Sequence, residues 1–103
     1  MPYSNKHRGS GFERRRLNDV KKNGGWGFRA FGSKGIVDLV YIDGNGVGHL
    51  EQLKFSSKGK ARISKAEMER LKMFAKRWDG KACHVSVVIK NAWKEPEVIK
   101  LNE

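Results

Sequence analysis

Hydrophobic positions recur at helical spacing near the amino end of the chain. Residues 10–23 place Glu13, Leu17 and Val20 on one helix face. Ser10 and Glu13 have the spacing of a capping box, and two glycines follow the segment as a stop signal. The pattern therefore predicts a helix from Ser10 to about Asn23.

Strand-like stretches come next. Residues 26–31 predict a short strand, and residues 36–42 form an apolar run interrupted only by Asp38. Such a run is typical of a central strand covered on both faces. Residues 43–46 carry a strong turn signal, so a hairpin partner strand is expected at about residues 47–55.

The carboxyl half predicts one helix and two strands. Ser64 and Glu67 form a second capping box, which opens a helix that continues to about Trp78, and we interpret Glu67 as a cap. Residues 82–89 predict a valine-rich strand, and residues 92–101 predict an edge strand because a proline interrupts them. The order indicates an α/β fold with a mixed central sheet of about five strands flanked by two helices.

Length and charge narrow the function. The 103 residues suit a single domain, residues 1–103, in which residues 1–9 are expected to form a basic amino-terminal arm. The formal net charge of +11 points to nucleic acid as the partner. No apolar run is long enough to predict a membrane span, and the single Cys83 favours a reducing, intracellular setting.

The candidate chemistry lies on the predicted hairpin. A buried, unpartnered aspartate costs several kcal/mol, so Asp38 within its apolar run implies a metal, a cation or a cleft. The next strand carries Glu51, Gln52 and Lys54, of which Gln52 and Lys54 share one face and Glu51 points to the other. Which of them meets Asp38 depends on the turn.

Two hairpin closures compete. A three-residue loop with Gly46 in the left-handed bulge position pairs Asp38 with Gln52 and places Lys54 on their face. A two-residue loop pairs Asp38 with Glu51 and removes Lys54 from the site. We favour the three-residue loop, because only it gathers an acid and an ammonium group beside a metal. A carboxylate with a second oxygen ligand suits Mg²⁺, which predicts metal-assisted phosphodiester hydrolysis, and Glu13 could join from the helix.

These pieces together resemble the archaeal Holliday junction resolvases of the PD-(D/E)XK nuclease superfamily, which also occur in viruses. The stretches that carry the resemblance are GSGFERRRL (9–17), FRAFGSKGIVDLV (28–40), LEQLK (50–54) and AEMERLKMFAKR (66–77) leading into VSVVIK. The resemblance implies a restriction-endonuclease-like core. The VRR-Nuc domains, which share the fold and the motif order, are the sibling alternative.

The resemblance also implies roles for single residues. Glu13 becomes the helix acid, Ser33 the hydroxyl near the scissile phosphate, Asp38 the main metal ligand and Lys54 the motif lysine. The family pattern usually has an acid where this chain has Gln52. The neutral amide can still offer its carbonyl oxygen to Mg²⁺. A strand bulge that turns Glu51 inward would make Glu51 the second ligand instead.

The resemblance further implies partners. The expected substrate is DNA, in the form of four-way junctions or other branched structures, cut by a homodimer inside a prokaryotic or virus-infected cell, in its cytoplasm or nucleoid. Mg²⁺ is the expected cofactor, with Mn²⁺ as a substitute. Basic residues around the site are predicted to contact phosphates, namely Arg8, Arg14, Arg29, Lys34, Lys58, Lys60, Arg62 and Lys65.

Two other functions stay open from the sequence. A non-catalytic DNA-binding module could keep the fold and lose the chemistry at Gln52. An RNA-binding basic protein would leave the buried Asp38 without a role.

Overall fold

The computed structural model describes residues 5–30 and 36–102, and side chains from residue 11 onward. Two helices and five strands follow one another in these ranges, with a single 3-10 turn after the second helix. The elements are α1 (Asn5–Lys22), β1 (Trp26–Arg29), β2 (Leu39–Ile42), β3 (Gly48–Ser56), α2 (Lys65–Ala75), the 3-10 turn Lys76–Trp78, β4 (Cys83–Asn91) and β5 (Glu97–Lys100). Neither of the two helices combines the length and apolar character that a membrane crossing requires.

The five strands form one sheet in the order in which they occur along the chain. β3 and β4 are parallel, whereas the other three neighbouring pairs are antiparallel. A parallel pair needs a crossover connection, and α2 supplies it. The predicted α/β architecture with a mixed sheet of five strands and two helices is confirmed.

The helix α1 covers one face of the sheet. Its Phe12 and Leu17 pack in one cluster with Leu39, Tyr41 and Leu53, all at most 8% exposed. A fully buried leucine contributes roughly 1.5–3 kcal/mol to stability, so this layer holds the hairpin of β2 and β3 against the helix.

The helix α2 lies on the other face. Side chains alternate along a strand, so Lys54 points away from the face on which Leu53 packs, and its ammonium group contacts Glu67 of α2. The same helix buries Leu71 and Ala75. The sheet is therefore the middle of three layers. The two chain neighbours of Leu53 on β3, Gln52 and Lys54, point to the α2 side.

Two boundaries differ from the prediction. The helix α1 begins at Asn5, so residues 5–9 are helical and the predicted arm over residues 1–9 is wrong for them. A Ser-x-x-Glu pattern stabilises a helix start, but it does not stop preceding residues from continuing the helix when none of them is proline. Ser10 therefore lies inside the helix.

The strand β2 is shorter and less buried than predicted. It begins at Leu39, not at residue 36, and Ile36 and Ile42 are 46% and 51% exposed. Trp26, paired with Ile42, and Phe28 are also exposed on this face of the sheet. The expected cover on both faces is wrong here, because α2 packs against β4 and leaves β1 and β2 open on that side.

Candidate active site

The turn between β2 and β3 closes with the three-residue loop. Ile42 pairs with Gly48, and the Asp43 N–H donates to the Val47 carbonyl oxygen at 2.9 Å. Gly46 has φ +83° and donates its N–H to the Asp43 carbonyl oxygen at 2.9 Å. The predicted odd closure is confirmed, with Gly46 in the left-handed position.

The Asp43 side chain locks this turn. Its Oδ1 accepts the backbone N–H groups of Asn45 and Val47, at 2.9 and 3.1 Å, and its Oδ2 lies 2.8 Å from Nε2 of His49. The hydrogen bond to His49 and the two backbone donors lower the pKa of Asp43. One short side chain thus fixes both the loop and the start of β3.

Asp38 lies in a bulge immediately before β2. Leu39 pairs with Glu51, yet the Asp38 N–H also donates to the Glu51 carbonyl oxygen, at 2.8 Å. Two residues of one strand therefore stand opposite one residue of the other, which defines a β-bulge. The predicted direct pair of Asp38 with Gln52 is wrong, because the bulge ends the regular ladder one residue earlier.

The bulge directs the Asp38 carboxylate onto β3. Its Oδ2 accepts the backbone N–H of Leu53 at 2.9 Å, so the carboxylate lies beside the segment that carries Gln52 and Lys54. Burial raises the pKa of Asp38, while the Leu53 N–H and the positive charge of Lys54 lower it and the charge of Glu67 raises it further. Asp38, Lys54 and Glu67 thus interact electrostatically.

Lys54 forms an ion pair with Glu67 of α2. Its Nζ donates to Oε2 of Glu67 at 2.6 Å, and both side chains are partly exposed. This bond is the main reason that the pKa of Glu67 is lowered. The structure therefore places Glu67, interpreted from the sequence as a helix cap, beside the candidate site residue Lys54.

Glu51 lies on the opposite face and is 1% exposed. Its carboxylate accepts hydrogen bonds from Nε and Nη2 of Arg16, at 2.5 and 2.9 Å, and from the hydroxyl of Tyr41 at 2.7 Å. The bulge lies immediately before β2 and leaves Glu51 turned toward α1. The structure therefore does not bring Glu51, the alternative ligand, to the face of Lys54, and its charge is paired with Arg16 in the α1 layer.

Glu13 lies in the α1 layer as well. Its Oε2 accepts Nε of Arg29 at 3.0 Å, and Arg29 pairs with Leu39 on the face that α1 covers. The structure therefore joins Glu13 to Arg29 and does not bring it into contact with Asp38. Within the described ranges, no group of three or more His, Cys, Asp or Glu side chains is placed to hold a metal ion.

The predicted phosphate contacts are mostly exposed. Arg14 lies on α1 and Lys65 begins α2, whereas three examples lie in the loop that follows β3, namely Lys58, Lys60 and Arg62. Arg29 is mostly buried and paired with Glu13. Ser33, Lys34 and the side chain of Arg8 lie outside the described part of the chain.

The donor atoms near Asp38 fit a hard divalent cation. The Asp38 carboxylate and the Gln52 amide oxygen are oxygen donors of the kind Mg²⁺ prefers, and burial of Asp38 disfavours its charge in the absence of a cation. Gln52 lies on β3 one residue before Leu53, the backbone partner of Asp38. Asp38 and Gln52 are the residues that could hold such an ion.

Three partner residues could not be found from the sequence pattern. The capping box explained Glu67 completely, although the crossover from β3 returns the first turn of α2 to the end of β3 that carries Lys54. Arg16 and Tyr41 were not recognised as partners of Glu51 either. The available signal was that Glu51 alternates with Leu53 on the core face, where a buried acid needs a cation.

The fold and this hairpin together define an α/β nuclease-type domain with an acid just before β2 and a lysine on β3. The model of the family described as archaeal Holliday junction resolvase (Hjc) matches residues 4–103, and the chain belongs to this family. Among solved structures, the Hjc Holliday junction resolvase of Archaeoglobus fulgidus, an archaeal hyperthermophile, is similar with a TM-score of 0.68 at 21% sequence identity. The match covers 90% of this chain and 77% of that chain. A search of curated proteins found no match.

Proposed function

We propose that this chain is a Mg²⁺-dependent endonuclease that hydrolyses phosphodiester bonds in four-way DNA junctions. Membership in the resolvase family supports the reaction class. The observation that carries the proposal is the position of the Asp38 carboxylate, which accepts the Leu53 N–H one residue before Lys54, near a strand end followed by exposed basic residues.

Each residue of the hairpin has a task in this proposal. Asp38 and Gln52 hold the cation through oxygen atoms, and Lys54 places its ammonium group where negative charge develops on the phosphate. A bound Mg²⁺ would polarise the phosphate and lower the pKa of a coordinated water, and Mn²⁺ would serve in the same way. Ser33 stays in the proposal as the hydroxyl near the scissile phosphate.

Glu13 stays in the proposal as the helix acid under one condition. Its carboxylate reaches a cation only if the ion pair with Arg29 opens. Arg29 would then be released toward a DNA phosphate, which agrees with its proposed role in DNA binding.

Basic residues around the site position the DNA. Each neutralises a phosphate and releases a counterion, so they contribute affinity without sequence preference. The proposed set is Arg8, Arg14, Arg29, Lys34, Lys58, Lys60, Arg62 and Lys65. Because a four-way junction has two-fold symmetry and each chain carries one site, we further propose a homodimer that acts on DNA inside the cell.

A cleavage assay on a labelled four-way junction with Mg²⁺ tests the proposal. Asp38→Asn and Lys54→Ala should each reduce cleavage about 100-fold or more, because each removes a charge that acts in the transition state. Junction binding should persist. Asp19→Asn and Lys81→Ala are the matched controls: both positions are exposed, and they lie outside the proposed site.

A second candidate function is a DNA-binding module without catalysis. The neutral Gln52 and the lack of a cluster of three acidic, His or Cys ligands among the described residues favour it. Strong, salt-sensitive junction binding with no cleavage at any Mg²⁺ or Mn²⁺ concentration would decide for this candidate and against the nuclease.

A further inference from the structure

Glu67 has a contact that its capping role does not require. The Ser64 Oγ accepts the backbone N–H of Glu67 at 3.1 Å, which is the helix cap itself. In a capping box the glutamate side chain returns to the backbone of the cap residue. Here Oε1 accepts the Ser64 hydroxyl at 3.2 Å, while Oε2 accepts Nζ of Lys54, 13 residues earlier in the chain.

The charges of the site explain why this contact matters. Asp38 carries one negative charge, Lys54 one positive charge, and Gln52 none, so these three residues together are neutral. A neutral set of groups attracts a divalent cation weakly. With the carboxylate of Glu67 included, the same set carries a net charge of −1.

Two other glutamates near the hairpin cannot supply that charge. Glu51 is buried on the opposite face with Arg16 and Tyr41. Glu13 pairs with Arg29 in the α1 layer. Glu67, in contrast, is 34% exposed and lies against Lys54 on the α2 side of β3.

We propose that Glu67 is the second acidic residue of the active site. Its carboxylate supplies the negative charge that Gln52 lacks, so that Asp38 and Glu67 together attract the divalent cation, and it holds Lys54 in place. This inference rests on the proposed nuclease function. It deepens that proposal by naming a metal-site residue on α2 that the hairpin alone does not contain.

Mn²⁺ binding measured by electron paramagnetic resonance tests the inference without relying on catalysis. Glu67→Gln should weaken Mn²⁺ binding about tenfold or more, as the loss of a metal-site carboxylate or of its close support commonly does. The cap is retained, because the donor to Ser64 is the backbone N–H of residue 67. Glu69→Gln, at an exposed position of the same helix, is the matched control and should bind like the wild type.

A compensating variant separates charge from local structure. Gln52→Glu combined with Glu67→Gln returns the net charge to −1 and should restore Mn²⁺ binding, with or without the ion pair to α2. Loss of binding in the single variant and recovery in the double variant support the inference. Equal Mn²⁺ affinity for Glu67→Gln and Glu69→Gln would overturn it, as would failure of the double variant to recover while its circular dichroism spectrum is native.

Failure of the broader proposal gives a different result. A wild-type protein that binds no Mn²⁺ and cuts no junction contradicts the nuclease function, and the role of Glu67 with it. A wild-type protein that binds Mn²⁺ through Asp38, and whose affinity does not depend on Glu67, contradicts only the inference about Glu67.

Discussion

Two glutamates near the hairpin have opposite environments, although one residue type is involved. Glu51 is almost fully buried, its charge is matched by Arg16 and its carboxylate accepts the Tyr41 hydroxyl, so it serves stability. Glu67 is partly exposed and pairs with Lys54 beside Asp38. The burial of the carboxylate and the number of its hydrogen-bond partners, and not the residue type, separate a structural acid from one available for chemistry.

The structural assignment of Glu51 can be measured. Glu51→Gln leaves the guanidinium of Arg16 without its carboxylate in a partly buried site and should lower the free energy of unfolding by about 3 kcal/mol. Urea unfolding monitored by circular dichroism gives the value, and exposed Glu95→Gln should change it by less than about 0.5 kcal/mol. Mn²⁺ affinity of the Glu51 variant should match the wild type; a specific loss of metal binding would contradict the assignment.

The sequence was sufficient to predict the site residues whose position depends on local pattern. Asp38 stands out because it interrupts an apolar run, and Lys54 follows from the turn and the strand period. It was insufficient for Glu67 and Arg16, whose partners lie 13 and 35 residues away. Those contacts depend on how the helices pack onto the sheet, and a one-dimensional pattern does not contain that information.

At the scale of elements, the turn and the bulge act together. The three-residue loop sets the register of β2 on β3, and the bulge at Asp38 then takes its carboxylate out of the ladder toward the Leu53 N–H. The turn was predictable because its glycine pattern is local. The bulge was not, because no residue type marks its position in the sequence, and it also explains why β2 begins at Leu39.

The turn can be tested through its left-handed glycine. A Cβ at Gly46 would meet no atom within 4 Å, so only the backbone conformation penalises a side chain there. Gly46→Ala should cost about 1 kcal/mol of stability, and Gly46→Asn should cost less, because asparagine tolerates this conformation. Both variants should keep junction cleavage. Equal costs for the two residues, measured by thermal unfolding, would show that φ at this position is not the controlling factor.

At the scale of the whole molecule, two helices on opposite faces of one sheet assign different tasks to the faces. The α1 layer contains the core cluster and the neutralised acids Glu13 and Glu51. The α2 side contains the ion pair of Lys54 with Glu67, near the end of β3 from which the basic loop leads into α2. The net charge of +11 suits a DNA partner, and the exposed Lys58, Lys60 and Arg62 carry part of that charge in the loop that follows β3.

The proposed homodimer is a property of this scale. Sedimentation velocity should give a species of about twice the 11.7 kDa chain mass, because two sites are needed to cut both strands of a symmetric junction. Titration of a labelled junction should saturate at two chains per junction, whereas a linear duplex of equal length serves as the control. A single chain per junction at saturation, with cleavage intact, would contradict the dimer.

The loop between β2 and β3 also limits which changes in length the chain can tolerate. Successive strand residues point to opposite faces, so an inserted residue that shifted the pairing of β3 on β2 by one position would exchange the faces of the β3 side chains relative to β2. Glu51 would then leave Arg16, and Lys54 would leave Glu67. An insertion that only lengthens the loop, with the Asp43–Val47 hydrogen bond kept, would preserve both contacts. Changes in length are therefore compatible with the site where the loop absorbs them without a change of register.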